Sequence, residues 1–413
     1  MFTPDISNLS LYIDPGTGSM LFAALIGVLS TVLFFLRKLF MKIKYSGIGS
    51  KDPAQAKKAH DIVLFSEGRQ YVKCFEGIVD ELEKRGVSAT YVTMDENDAI
   101  LKKDLKHVEC ICPGNAVKTF AYLNNLSAEK VLSTTPGLDV YQWKRSPEVG
   151  EYIHFYHAMA PTGYRLFGLD FYDTVLTVGP YQDEYLRELE DMRGVKNKKL
   201  VPAGCTYMDV LAEQIRTREA EKIFDNGNKT IIWAPSWGTS SSIRNHKVIL
   251  DALLRSSYNV IVRPHPQSFK AEMEIIDEIR KDNSSHENFY LDENPDNFRA
   301  LSTADLLISD FSSITFDFMF CFGKPVILTN TEYDLSPYDA YWSKKEHWLT
   351  KTVGELGLRI DVDKLSEIGS YADKLLNDEE KKRTREEYKN RLWTNQGCSA
   401  AKIADYLVSE KTV

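Results

Sequence analysis

Two short stretches carry residue types suited to chemistry on a phosphate. In "VIVRPHPQSF" (260–269), Arg263 and His265 stand among two prolines where an apolar run ends. Arginine presents a planar, permanently charged fork that matches phosphate oxygens. Histidine can move a proton or donate a hydrogen bond near neutral pH. Pro264 and Pro266 fix φ and discourage an immediate helix, so both side chains are expected to project from a stiff turn. In "LLISDFSSITFDFMF" (306–320) an apolar strand ends at Asp310, and Ser312, Ser313 and Thr315 follow where a helix should begin. Hydroxyls and unpaired N–H groups at a helix start make a phosphate cradle. No Walker lysine pattern accompanies them, which argues against a P-loop nucleoside triphosphatase. Alone, each stretch has a plainer reading, as a capped turn or as an Asp310 or Ser312 helix cap. Two such loops at strand ends in one half of the chain favour a phosphorylated ligand.

Two further segments belong with them. "WAPSWGTSSS" (233–242) follows another apolar strand and reads as a mobile loop near the cleft, with Ser236 and with Trp237 able to stack on a base or sugar, or on its own domain. "YIHFYHAMAPTGYR" (152–165) holds His154 and His157 at a strand end. Their spacing on an extended segment puts them on opposite faces, so they should not share a metal. A histidine there can serve as general base on an acceptor hydroxyl, or can be a core residue. Cys110 and Cys112 form a CxC pair without a second ligand pair, and no acidic pair at metal spacing stands near either loop; neither metal nor cofactor is expected. The six cysteines are dispersed, mostly in apolar runs, and read as small buried hydrophobes in a reducing compartment.

Elements that could position these residues follow from the pattern. A chain of 413 residues suits two domains. Apolar strands alternate with helical patterns, which implies parallel sheets covered on both faces. Strands are expected at 61–67, 89–94, 107–114, 130–137, 151–158, 173–179 and 198–204, then at 230–238, 258–266, 288–294, 305–313 and 324–330. The first set defines an N-terminal doubly wound domain over 59–222, and the second a C-terminal one over 223–362. A helical tail (363–413) should pack back over the surface. Ligands in such sheets sit at the carboxyl ends of the strands, here in a cleft between the domains. The net charge of −8 gives no general attraction to nucleic acid.

The N-terminus is of another kind. After a short tail (1–15), residues 16–36 carry no charge, and Arg37, Lys38, Lys42 and Lys44 follow at once. That length crosses a bilayer as one helix, and the basic flank (to 44) keeps the remainder in the cytoplasm. The expectation is a single-pass cell-membrane anchor with a linker over 45–58. A cleaved signal peptide fits poorly, because the basic residues follow the apolar run.

"VIVRPHP", "LLISDFSSITFDF…GKPVIL", "WAPSWG" and "PAGCTYMDVL" stand in the order of the signature segments of the CDP-glycerol glycerophosphotransferases, and the chain resembles that family over residues 60–410. "YHAMAPTGYR" resembles the family's His-Gly segment, with Ala158 in the glycine's place. The resemblance implies a GT-B fold of two Rossmann-like domains and transfer of glycerol phosphate, or a related polyol phosphate, from a CDP-alcohol to a lipid-linked or polymeric envelope acceptor, with release of CMP. It implies His157 as base on the acceptor hydroxyl and His265 with Arg263 on the donor diphosphate. Ser312 and Ser313 would bind phosphate oxygens and Asp310 would organise their loop. A glycosyltransferase using a nucleotide sugar, and a non-catalytic nucleotide-binding protein of an export complex, are the competing readings.

Overall fold

The structure is a computed structural model and describes residues 60–159, 166–219, 221–329, 334–336, 338–343 and 348–409. The expected membrane helix over 16–36, its basic flank and the linker lie outside the described residues. Among the described residues, no helix is long and apolar enough to cross a membrane.

The first half of the chain forms one seven-stranded parallel sheet: β1 (His60–Ser66), β2 (Ala89–Thr93), β3 (Val108–Ile111), β4 (Ala128–Ser133), β5 (Val149–Phe155), β6 (Thr174–Thr177) and β7 (Lys199–Pro202), in the order β3-β2-β1-β4-β5-β6-β7. The second half repeats the plan with six strands: β8 (Thr230–Ala234), β9 (Asn259–Val262), β10 (Phe289–Leu291), β11 (Leu306–Ser309), β12 (Val326–Thr329) and β13 (Leu358–Ile360), in the order β10-β9-β8-β11-β12-β13. β13 falls in a stretch for which no strand is expected from sequence. The architecture is α/β and GT-B-like.

The local causes are ordinary. The central strands read as unbroken apolar runs because helices cover both faces: Val63, Leu64 and Phe65 of β1 and Ile231, Ile232 and Trp233 of β8 have no exposed surface. The helix Val72–Lys84 buries Cys74, Phe75, Ile78, Val79 and Leu82, one stripe at helical spacing. It ends where Gly86 takes φ +69°, with Val87 N–H donating back to the Leu82 carbonyl, a left-handed glycine stop.

The C-terminal tail is helical and returns to the first half. Helix Ser399–Val408 sets Ile403, Ala404 and Leu407 in the same cluster as Phe75 and Ile78. At its end the buried Lys130 ammonium donates to the carbonyls of Tyr406, Leu407 and Ser409, a cation satisfying a helix C-terminus. Gly204, at φ +90°, permits the approach: a Cβ there would lie 2.3 Å from Ser399 Oγ and 2.6 Å from the Thr394 carbonyl oxygen.

Cysteine burial departs from expectation. Cys74 and Cys205 are buried, but Cys110, Cys112 and Cys321 are partly exposed and Cys398 is exposed; all six are free thiols.

Candidate active site

In both sheets the strand order reverses beside the first strand, between β1 and β4 and between β8 and β11. Such switch points open a crevice at the carboxyl ends of the strands. The residues singled out by sequence lie around these two places.

In the second half, loops leave three neighbouring strands, β9, β8 and β11. Asp310, directly after β11, is fully buried. Its carboxylate accepts from Ser236 N (2.9 Å), Ser242 N (2.9 Å), Ser242 Oγ (2.9 Å) and Ser241 Oγ (3.2 Å). A carboxylate so enclosed cannot also face an anion, so Asp310 holds the 236–242 loop and is not itself a phosphate contact. Ser236 is likewise bound into the loop: its N–H goes to Asp310 and its carbonyl accepts from Ser241 Oγ at 2.6 Å. The loop is therefore pinned at its base, not free along its length. Trp237, at its tip, remains 45% exposed and stacks over His265, ring centroids 6.4 Å apart and planes inclined by 30°.

His265 is half-buried, and its Nδ1 accepts from Gln267 N–H at 3.1 Å. That bond selects the tautomer in which Nε2 carries the proton, so the neutral ring is a hydrogen-bond donor. Burial lowers its pKa, while Asp310 and Glu272 oppose the shift. Arg263 departs from expectation. Its guanidinium does not simply project; it is ion-paired with Asp292, a buried carboxylate just beyond the adjacent strand β10. One arm of the fork is thus engaged within the protein. Ser312 and Ser313 are partly exposed. The helix they precede is short, Ile314–Phe316, and widens at once into a π turn, Asp317–Cys321, a distortion frequent at functional sites.

In the first half, His154 and His157 separate as their spacing demands. His154 is fully buried in β5, with Tyr156 and Tyr172 edge-on to its ring at 5.4 and 5.1 Å, and burial holds it neutral. It is a core residue. His157 lies just past the strand, with Nδ1 2.7 Å from Thr134 Oγ1 and the Tyr71 ring edge-on at 5.2 Å. Part of the residue reaches solvent, yet protein encloses the ring, and burial lowers its pKa to about 4. The imidazole is neutral at physiological pH.

Sequence reading passed over Glu67 and Thr135. Glu67 closes "DIVLFSE" one residue beyond β1, and Thr135 lies two beyond β4. Phe65, Ser133 and His154 share one register row, so Glu67, Thr135 and the segment bearing His157 leave the sheet side by side. The available signal was an acid directly at the end of an apolar strand. Among the described residues, no group of three His, Cys, Asp or Glu is arranged to hold a metal ion.

Contacts also cross between the halves. Lys73 pairs with Asp296 at 3.2 Å, Asp339 accepts from Phe167 N at 2.8 Å and pairs with Arg193, and Trp348 stacks on Tyr181 at 4.3 Å while leaning on Phe316 at 4.8 Å.

Comparison with known proteins agrees with this fold. The wall teichoic acid polymerase TagF superposes with a TM-score of 0.57 at 16% identity, covering 92% of this chain and 95% of that one. The S. aureus MnaA–UDP structure gives 0.57 at 13% identity, over 84% and 96%. UDP-GlcNAc 2-epimerase from Neisseria meningitidis bound to UDP-GlcNAc gives 0.55 at 12%, over 86% and 100%. At these identities the likeness is one of fold. No curated protein matches the sequence. A family model described as CDP-glycerol:poly(glycerophosphate) glycerophosphotransferase matches residues 51–344, which hold the first sheet, β8 to β12 of the second and every loop of the candidate site. By that match the chain belongs to the CDP-glycerol glycerophosphotransferase family and is an enzyme of that class.

Proposed function

We propose that the enzyme transfers glycerol phosphate, or a related polyol phosphate, from a CDP-alcohol to a hydroxyl of a lipid-linked or polymeric envelope acceptor, releasing CMP. The observation that carries this reading is the convergence of His265, Trp237, Ser312 and Ser313 on the switch point of the second sheet, within the span of the family match. Loops on β8, β9 and β11 meet there, and Asp310 ties two of them together.

In this reading the acceptor oxygen attacks the phosphorus that carries the polyol. A new O–P bond forms, the P–O bond to CMP breaks, and the acceptor proton passes to His157. With Nδ1–H donating to Thr134, the ring accepts that proton at Nε2. Charge gathers on the phosphate oxygens and on the leaving CMP. His265 Nε2–H, the remaining N–H groups of Arg263 and the Ser312 and Ser313 hydroxyls are the donors assigned to it. Trp237 is assigned to the cytosine or ribose face. Residues 16–36 are assigned as the anchor that holds the enzyme on the membrane beside a lipid-linked acceptor, with the catalytic part cytoplasmic.

A donor panel tests the proposal: full-length enzyme with CDP-glycerol, CDP-ribitol, UDP-sugars and CMP-sugars, scored by nucleotide release. CMP from a CDP-alcohol alone is expected. Turnover of a nucleotide sugar alone would replace the reading with a glycosyltransferase.

A further inference from the structure

Resting on that reading, we propose that Glu67, with the buried Thr135 hydroxyl beside it, forms a subsite for a second hydroxyl on the acceptor, adjacent to the one that attacks. The acceptor end it fits is a vicinal diol, as at the free end of a glycerol unit.

Position is the first argument. Glu67 and Thr135 follow β1 and β4, the two strands between which the first sheet reverses, and ligands of open α/β sheets bind at that crevice. His157 emerges from β5, the next strand along, and Thr134, which holds its ring, is the neighbour of Thr135 in sequence. The subsite is therefore contiguous with the base.

Unmet polar capacity is the second. Thr135 is 7% exposed and its hydroxyl oxygen has no hydrogen-bond partner among the described residues. Buried hydroxyls are ordinarily satisfied, and an orphan of this kind calls for a ligand or water. Its carbonyl is already occupied, accepting from Tyr172 OH at 2.5 Å. Glu67 is half-buried, and among the described residues no lysine or arginine pairs with it. The Thr135 hydroxyl is near enough to favour the Glu67 anion without making a hydrogen bond of normal geometry. The Tyr71 and Tyr172 phenols lie within range of its charge. Burial raises its pKa, as expected for a carboxyl held away from water without a cation.

Chemistry selects the occupant. A carboxylate with no described cation paired to it repels phosphate and accepts hydrogen bonds from hydroxyls. The Thr135 hydroxyl can donate to, or accept from, the same group. A hydroxyl one carbon from the nucleophile would be held by both, which orients the attacking oxygen towards His157. Glu67 exchanges no proton in this scheme; its role is to bind and orient.

The test compares two synthetic acceptors with full-length enzyme and CDP-glycerol. One is glycerol 3-phosphate esterified with an octyl chain, which ends in a vicinal diol. The other is 3-hydroxypropyl octyl phosphate, which keeps the primary hydroxyl and lacks its neighbour. A site built to hydrogen-bond a hydroxyl rejects the analogue lacking it, so wild type should prefer the diol by about ten- to hundredfold in kcat/KM. Glu67→Gln should lose most of that preference through a raised KM for the diol, with the thermal shift induced by CDP-glycerol unchanged. Thr135→Val should move in the same direction. A Glu67→Gln enzyme that keeps the preference, or a wild type that shows none, overturns the proposal while leaving CMP release in place. Absence of both CMP release and a CDP-glycerol thermal shift in wild type would instead remove the donor reading, and this subsite with it.

Discussion

His157 and Asp310 show how far single residues carry the account. With its pKa near 4, His157 is neutral above that value; as pH falls through it the ring is protonated and the proposed base is lost. His157→Ala should lower kcat by roughly 10²- to 10⁴-fold while CDP-glycerol binding, read by thermal shift, stays intact. Loss of binding instead would make His157 a structural residue. Asp310 is the opposite case. Its carboxylate is consumed by Ser236, Ser241 and Ser242, so Asp310→Ala should cost about 3 kcal/mol of stability, by leaving buried donors unpaired, and should abolish donor binding together with the fold of the loop. A variant of unchanged melting temperature would refute that role. Both positions were legible in the sequence, since each sits at the end of an apolar run. What sequence left open was the direction each side chain faces. A carboxylate looks the same in a chain whether it greets a ligand or ties down a neighbouring loop, and Arg263 looks free until Asp292 is folded beside it.

At the scale of elements, hydrophobic runs placed the strands because both faces of each sheet are covered, and period-2 alternation was never needed. β13 escaped because three residues, Leu358–Ile360, are too short to make a run. The start of a helix after Ser313 was legible, whereas its π distortion depends on packing of Phe316, Phe318 and Phe320 that no local pattern specifies. Where the tail crosses back, Gly204 leaves no room for a side chain. Gly204→Ala should destabilise the protein by about 2–4 kcal/mol, from backbone strain at positive φ and a clash with the Ser399 turn. Thermal melting measures it, and a change below about 0.5 kcal/mol would mean that the tail docks less tightly than described. Glu67 and Thr135 were missed because their meaning comes from strand order, which brings the end of β1 at Ser66 beside the end of β4 at Ser133.

At the scale of the whole molecule, the two halves meet around charged groups with altered ionisation. Asp317, in the π turn of the second half, is buried beside Cys74, Cys205 and Tyr207 of the first, and burial raises its pKa to about 7 with Lys73 opposing. An acid whose folded pKa is raised binds its proton more tightly when folded, so stability is highest below the unfolded value and falls as pH rises from about 4 to about 7. The fall is at most about 4 kcal/mol, and Asp317→Asn should flatten it in denaturant unfolding followed across that window. A profile unchanged by the substitution would remove Asp317 from the junction's energetics. In the proposed mechanism a base on the first half acts on a donor held by loops of the second, and that relation is the centre of the account. The most direct measurement is CMP release by full-length enzyme given CDP-glycerol and a hydroxyl acceptor, with His157→Ala and His265→Ala alongside. CMP from wild type, lost in both variants while each still folds, is the predicted result; CMP release undiminished in either variant, or none from wild type, would contradict it.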